Sequence, residues 1–489
     1  MFTEAGIIFV VILISCAGIL AGRKVQSTSD FLTGGGKVSS FLTTGALVGT
    51  LLGSQCTLGT AQLAFSFGIS ACWFTLGTGL GCLILGLVYS DKLRRSGCTT
   101  QFQILSREYG ALTEKAGGIL CTTGTFISIL AQVTACIGFI TALYPSVSPF
   151  MASVLTIALM CMYIIMGGTW GAGLAGIVKV ILLYGSCTAC MVIALVKSGG
   201  ISWLFGNTES FLLGSSVGEI GRVLTHEDFS ARYLSMTARG TLKDLGSCLS
   251  LILGVLSTQT YMQFILSARG EREAKSSLMW SFLLVPPVGV MGIFIGLFMR
   301  ANYITAAEVN ALISAGLPVP ELPVIAGTIQ VFPSFVINHV SPVFAGIILG
   351  TLLVTVVSGS SGLLLGVSAI LTEDIFSAFS FVKSHKLFFS RLIIAITLTV
   401  AAITSRILDA QAINDLGFLS MTLRASVVFM PLLCALCFRG RVRPSFVLAS
   451  VILSPAVAIL DVILKFPVEP LVVGMGVSVM CCVIGSVRA

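Results

Sequence analysis

Apolar runs of about 20 residues recur along the chain with short polar stretches between them. Each run is long enough to cross the ~30 Å hydrocarbon core of a bilayer as a helix. Thirteen spans are predicted, near residues 5–22, 40–66, 69–89, 117–143, 149–168, 172–196, 245–266, 277–299, 342–371, 387–405, 414–437, 446–464 and 469–487. The longer connections are 91–116, the polar stretch 198–243 and the proline-bearing 300–341. The first span opens on Met1-Phe2-Thr3-Glu4, a leader without the Lys or Arg of an export signal, so it is read as an uncleaved helix.

Two of these runs are not plain. The second carries Gly45, Gly49, Gly53, Ser54, Gln55, Thr57, Gly59, Thr60 and Gln62; the seventh carries Gly254, Ser257, Thr258, Gln259 and Thr260. Polar groups at mid-membrane are costly unless the backbone unwinds there around a ligand or ion. Small-residue helix packing explains the glycines but leaves the glutamines without a reason. The stretches 49–55 and 254–259 resemble each other and lie five spans apart, so the two halves of the chain have opposite orientation. Paired interrupted helices in corresponding places predict a transporter built on an inverted repeat, with its solute held at the breaks. The substrate-binding candidates there are Ser54, Gln55, Cys56, Thr258 and Gln259, with Tyr261 one turn on as a gate over the ligand.

Composition narrows the class. Residues are 56% hydrophobic and only 10% charged, against about 25% charged in soluble domains. A water-soluble enzyme, a disordered chain and a nucleic-acid binder are excluded together. The net charge of +8 is spread between spans rather than gathered in a patch. With the N-terminus outside, 18 of the 28 Lys and Arg fall on the cytoplasmic side and 8 outside, with Lys179 and Arg424 inside spans. That bias predicts a multi-pass plasma (inner) membrane protein with its N-terminus out and its C-terminus in the cytoplasm. The 15 Cys lie mostly in apolar runs and act as small hydrophobes; the CxxC spacings at Cys187 and Cys434 fall in or at the ends of spans and are read as packing.

Several stretches carry a resemblance across nearly the whole chain. They are Asp30-Phe-Leu-Thr-Gly-Gly-Gly36, Gly59-Thr-Ala-Gln-Leu-Ala-Phe-Ser-Phe-Gly-Ile-Ser70, Thr258-Gln-Thr-Tyr-Met-Gln263 running on to Lys275, and Ser358-Gly-Ser-Ser with Ser368-Ala-Ile-Leu-Thr-Glu-Asp374. In order and spacing they resemble the solute:sodium symporter family, which includes sodium/proline and sodium/galactose symporters. The resemblance implies an all-α fold of about 13 transmembrane helices with an inverted five-plus-five repeat of LeuT type and discontinuous first and sixth core helices. The chain divides on that basis into an extra N-terminal helix (5–22), a first repeat (40–196), a second repeat (245–437) and C-terminal helices (446–487), all one transmembrane domain.

The family's sodium site carries over onto the carbonyls of Gly49, Leu52 and Thr355 and the hydroxyl of Ser358. The paired hydroxyl position is Gly359, so one ligand is missing, although Thr355, Ser360 and Ser361 are near in sequence. A second departure lies in the fifth core helix, where Gly176 replaces an Asp and Lys179 a Gln. A lysine inside a bilayer costs roughly 3 kcal/mol on insertion scales. Either its ammonium stands in for the sodium ion, giving a proton-coupled or uncoupled carrier, or it snorkels to the cytoplasmic surface.

Arg424 sits mid-span with no Asp or Glu in the middle of any span to pair with it. Arg keeps its proton, so a carboxylate on the substrate is the expected partner through bidentate contacts; the other reading bonds it to backbone carbonyls freed by the helix breaks. The function expected is a secondary active symporter. It imports an anionic or zwitterionic small molecule, an amino acid or organic acid, by alternating access with sodium as coupling ion and no organic cofactor. The competing class is an intramembrane serine protease, from the GxSG spacing at Gly359-Ser-Ser-Gly362, but no histidine base lies inside any span.

Overall fold

The computed structural model describes residues 2–165, 167–213, 215, 217, 224–406, 413–464 and 469–487. Of the basic residues in the charge tally, Arg222, Lys465 and Arg488 lie outside the described residues. Helices stand at all thirteen predicted positions. Among the described residues nine are long and apolar enough to cross a bilayer; Thr241–Leu256 and Gln259–Ser267 form a further pair bent by 46°, and Ser40–Leu51, Pro149–Ile165 and Pro470–Ser486 are shorter apolar helices. The observed helices overrun the predicted ends, as in Ala111–Leu143 and Gly168–Ser198. Hydropathy marks only the lipid-buried part, while backbone hydrogen bonding continues into the interface.

The elements that build the site are α1 (Phe2–Gly22), α2 (Ser40–Leu51), α3 (Leu58–Phe67), α4 (Trp73–Ile84), α5 (Gln101–Tyr109), α6 (Ala111–Leu143), α7 (Pro149–Ile165), α8 (Gly168–Ser198), α9 (Thr241–Leu256), α10 (Gln259–Ser267), α11 (Pro342–Ala369), α12 (Ile413–Cys437), α13 (Pro444–Leu464) and α14 (Pro470–Val487). The connections contain structure that apolar runs do not announce. Helices Ile201–Leu213, Ala306–Ser314 and Val331–His339 lie there, and Ile304–Thr305 pairs in parallel with Val324–Ile325.

Both predicted breaks are present. α2 stops at Leu51, residues 52–57 are non-helical, and the helix resumes as α3; α9 ends at Leu256 and α10 starts at Gln259. α11 lies beside them with every residue from Gly350 to Ile370 buried. α2 and α8 meet through glycine at both sides of the contact. A Cβ on Gly176 would sit 2.1 Å from the Gly45 carbonyl oxygen, and one on Gly49 would sit 2.9 Å from the Gly176 Cα. Only hydrogen side chains allow that approach, and it sets the depth at which Lys179, less than one turn beyond Gly176, enters the centre.

Both ends of the broken pair are bridged. At the end carrying α10's C-terminus, Val38 N–H donates to the Ser267 carbonyl (2.9 Å), and Arg94 Nη1 donates to the carbonyls of Ile265 (2.8 Å) and Ala268 (2.7 Å). At the other end Asn414 Nδ2 donates to the Gly59 carbonyl (2.7 Å), and the rings of Phe74 and Phe418 lie 5.3 Å apart.

Candidate functional site

The break after α2 leaves the carbonyls of Gly49 and Leu52 without helical partners, and Lys179 takes both. Its ammonium donates to the Gly49 carbonyl (2.5 Å), the Leu52 carbonyl (2.7 Å) and the Ser358 Oγ (2.6 Å). Three N–H groups thus meet three oxygens, and the residue is fully buried. Ser358 Oγ in turn donates to the Thr355 carbonyl (3.2 Å). All four groups expected to hold sodium therefore face Lys179, three directly and Thr355 through Ser358. Lys179 does not snorkel.

The structure also accounts for the missing hydroxyl. A Cβ on Gly359 would lie 2.7 Å from the Gly53 Cα and 2.9 Å from Gln132 Nε2, so the backbone of the break fills the space a serine would need. The neighbouring hydroxyls do not substitute. Thr355 donates to the Thr351 carbonyl (2.7 Å), Ser360 to Val357 (2.8 Å) and Ser361 to Ser358 (2.6 Å), each within its own helix.

Of the substrate candidates, some are engaged and some are not. Gln132 Oε1 accepts from Ser54 N–H (2.9 Å) and Ser54 Oγ (2.6 Å), which pins the break to α6. Cys56 Sγ donates to the Leu51 carbonyl (3.1 Å). Gln55 is different: its Nε2 is buried and makes no hydrogen bond, and it points toward α12, where a Cβ on Gly417 would lie 2.7 Å from it.

Arg424 is fully buried. Its Nη1 donates to Thr258 Oγ1 (2.8 Å), its Nε to the Ser420 carbonyl (3.1 Å), and its Nη2 to Ser420 Oγ (3.0 Å) and Met421 Sδ (3.2 Å). Thr258 Oγ1 passes the bond on to the Gly254 carbonyl (2.6 Å), which ties Arg424 to the α9–α10 break. Every partner of Arg424 is neutral, and one N–H of its five is unused. Tyr261, the gate candidate, is buried on α10.

Gln259 is engaged at both ends of its amide. Its Oε1 accepts from Gln101 N–H (2.9 Å) and its Nε2 donates to the Thr99 carbonyl (3.1 Å), so both ends of the amide are held by the segment leading into α5. Gln101 Nε2 closes the same junction on the Ser257 carbonyl (3.0 Å). An unwound backbone needs partners, and the Gln101 side chain supplies one to the Ser257 carbonyl.

Sequence reasoning passed over Gln132, Gln101 and Asn414. Gln132 alone had a readable signal, as the one amide in the otherwise apolar run 117–143. Among the described residues no group of three His, Cys, Asp or Glu side chains could hold a metal ion. A hard cation at the centre would rest on backbone carbonyls and hydroxyls, and the ones expected are those bonded to Lys179.

The whole architecture is similar to that of a Na+-coupled sialic acid symporter solved in a substrate-bound outward-open state. The two match with a TM-score of 0.78 and 17% sequence identity over 100% of this chain and 97% of that one. This gives the fold as the LeuT type, with its five-plus-five repeat and two discontinuous core helices. The sequence model of the sodium:solute symporter family matches residues 31–443. By that match the protein is a multi-pass membrane transporter of small solutes rather than an enzyme, and it belongs to the sodium:solute symporter family, whose coupling ion is sodium.

Proposed function

We propose that the protein carries a small carboxylate-bearing solute, an amino acid or organic acid, inward by alternating access. In this proposal the Lys179 ammonium occupies the place of the coupling sodium ion. The observation that carries it is the set of three bonds from Lys179 to Gly49, Leu52 and Ser358. A charge-assisted hydrogen bond is worth ~1.5–3 kcal/mol, so three together offset the roughly 3 kcal/mol of inserting a lysine. With its donors saturated, Lys179 has none left for a solute, and a sodium ion would have to displace it. Transport then runs on a proton exchanged at Lys179 or without coupling.

The anion falls to Arg424. Its neutral partners leave a full positive charge in the core, and the unpartnered Nε2 of Gln55 offers a separate donor that faces α12 at Gly417, about two turns from Arg424. Two donors in want of acceptors suit a carboxylate and would leave a neutral hydrocarbon unrecognised.

Uptake into proteoliposomes with a panel of labelled amino and organic acids tests both parts. Replacing sodium at fixed pH should change wild-type uptake by less than twofold, whereas Lys179→Gln should either acquire sodium dependence or lose transport. Wild-type uptake that collapses with the sodium gradient would return the chain to its family's usual coupling. For Arg424→Gln, affinity for the acid should fall by tenfold or more. The carboxylate reading fails if wild type binds the neutral amide of the same solute as tightly as the acid.

A further inference from the structure

A cavity of about 700 Å3 lies among the N-terminal ends of α9, α12 and α14 and the C-terminal end of α13, and its lining includes none of the residues of the two breaks. That volume suits a small organic molecule. Its charged lining is Arg239, Lys243, Asp415, Asp461 and Glu469. Arg239 is already committed: its Nε donates to Asp244 Oδ1 (2.7 Å) and its backbone N–H to Asp244 Oδ2 (3.0 Å), both side chains being buried. Among the described residues of the lining, that leaves the carboxylates of Asp415, Asp461 and Glu469 against Lys243.

Asp461 is the decisive residue. It is only 2% exposed, its Oδ1 makes no hydrogen bond, and it lines the cavity. A buried carboxylate oxygen without a donor is costly, and the cavity is where a donor could reach it. Glu469 lines the same cavity as Asp461 and Lys243 and is held against α9, where a Cβ on Gly246 would come 2.6 Å from its Cγ. Phe418 also lines the cavity, with its ring against Phe74 and the Arg239 guanidinium 5.2 Å over it, and Arg424 does not.

We propose that this cavity is a second binding site that takes an organic ammonium group, seated between Asp461 and Glu469. A cavity of about 700 Å3 is far wider than a bare inorganic ion needs. Carboxylates spread around a wide cavity suit a primary amine, whose three N–H donors can be shared among them. The mouth lies where four helices end and apolar residues such as Leu419 and Val462 line the walls. The amine can therefore come from a free solute or from a lipid headgroup.

Binding is read without transport, so the outcome is independent of the central-site proposal. Protein in nanodiscs is titrated with n-butylammonium chloride against sodium chloride of equal ionic strength, following thermal unfolding. In a parallel arm, native mass spectrometry compares retention of phosphatidylethanolamine with phosphatidylglycerol. Protection by butylammonium that weakens at least tenfold in Asp461→Asn and in Glu469→Gln supports a solute amine. Selective retention of phosphatidylethanolamine, lost in the same variants, supports a lipid amine. Lys243→Gln should strengthen either effect, and each variant is compared with its own unliganded unfolding temperature. No protection and no selective retention, or either effect unchanged in both carboxylate variants, overturns the proposal.

Discussion

At the scale of single residues, substitutions relative to the family pattern are linked by space. Gly176 stands where the family has an Asp, and its missing side chain is the room taken by the Gly45 carbonyl. Gly359 stands where the family has a second hydroxyl, and its missing side chain is the room taken by Gly53. α8 and α11 thus close on the break from two sides, and Lys179 brings its own cation into the narrowed centre. Gly176→Ala is expected to cost about 1–3 kcal/mol through overpacking, read as a lowered midpoint in thermal or denaturant unfolding. A variant as stable as wild type would mean that α2 and α8 separate without penalty.

At the scale of elements, the two breaks are stabilised by different partners. The first is held by Lys179 and by Gln132 of α6; the second is held by Arg424 of α12 and by the segment entering α5. Gln259 belongs to that second clasp. Gln259→Ala is expected to leave the Gln101 N–H and the Thr99 carbonyl without their partner, at about 1–3 kcal/mol for each buried group left unmade. Amide hydrogen exchange should accelerate over residues 99–103 and 257–262, while solute affinity shifts no more than a few-fold. A tenfold loss of affinity with unchanged exchange would instead put Gln259 at the solute.

At the scale of the whole molecule, the placement of basic residues predicts how the bundle is oriented, with the N-terminus outside. Arg94 sits on the carbonyls that end α10, the side on which the charge bias places the cytoplasm. The cavity bounded by Asp461 and Glu469 opens at the opposite ends of its helices. With single reporter cysteines in a cysteine-free background, a membrane-impermeant maleimide should label position 209 from outside intact cells and position 441 only after permeabilisation. The reverse pattern would invert the topology and move the acidic cavity to the inner face.

Spans, their order and both breaks were legible in the linear chain because each is a local property: twenty apolar residues make a helix in lipid, and glycines with amides at mid-depth unmake one. The buried charges of Lys179 and Arg424 were legible for the same reason, as exceptions to an apolar background. Which of two readings each charge follows was not. Lys179 could have reached the surface, and only the glycine-to-glycine approach of α8 to α2 decided that it turns inward to Gly49, Leu52 and Ser358. Gln259 carried the right chemistry for a ligand and was taken instead by Thr99 and Gln101, about 160 residues away in sequence. Hydrogen-bond partners of an unwound backbone are chosen by proximity in space, and proximity of that kind exists only once the helices have packed.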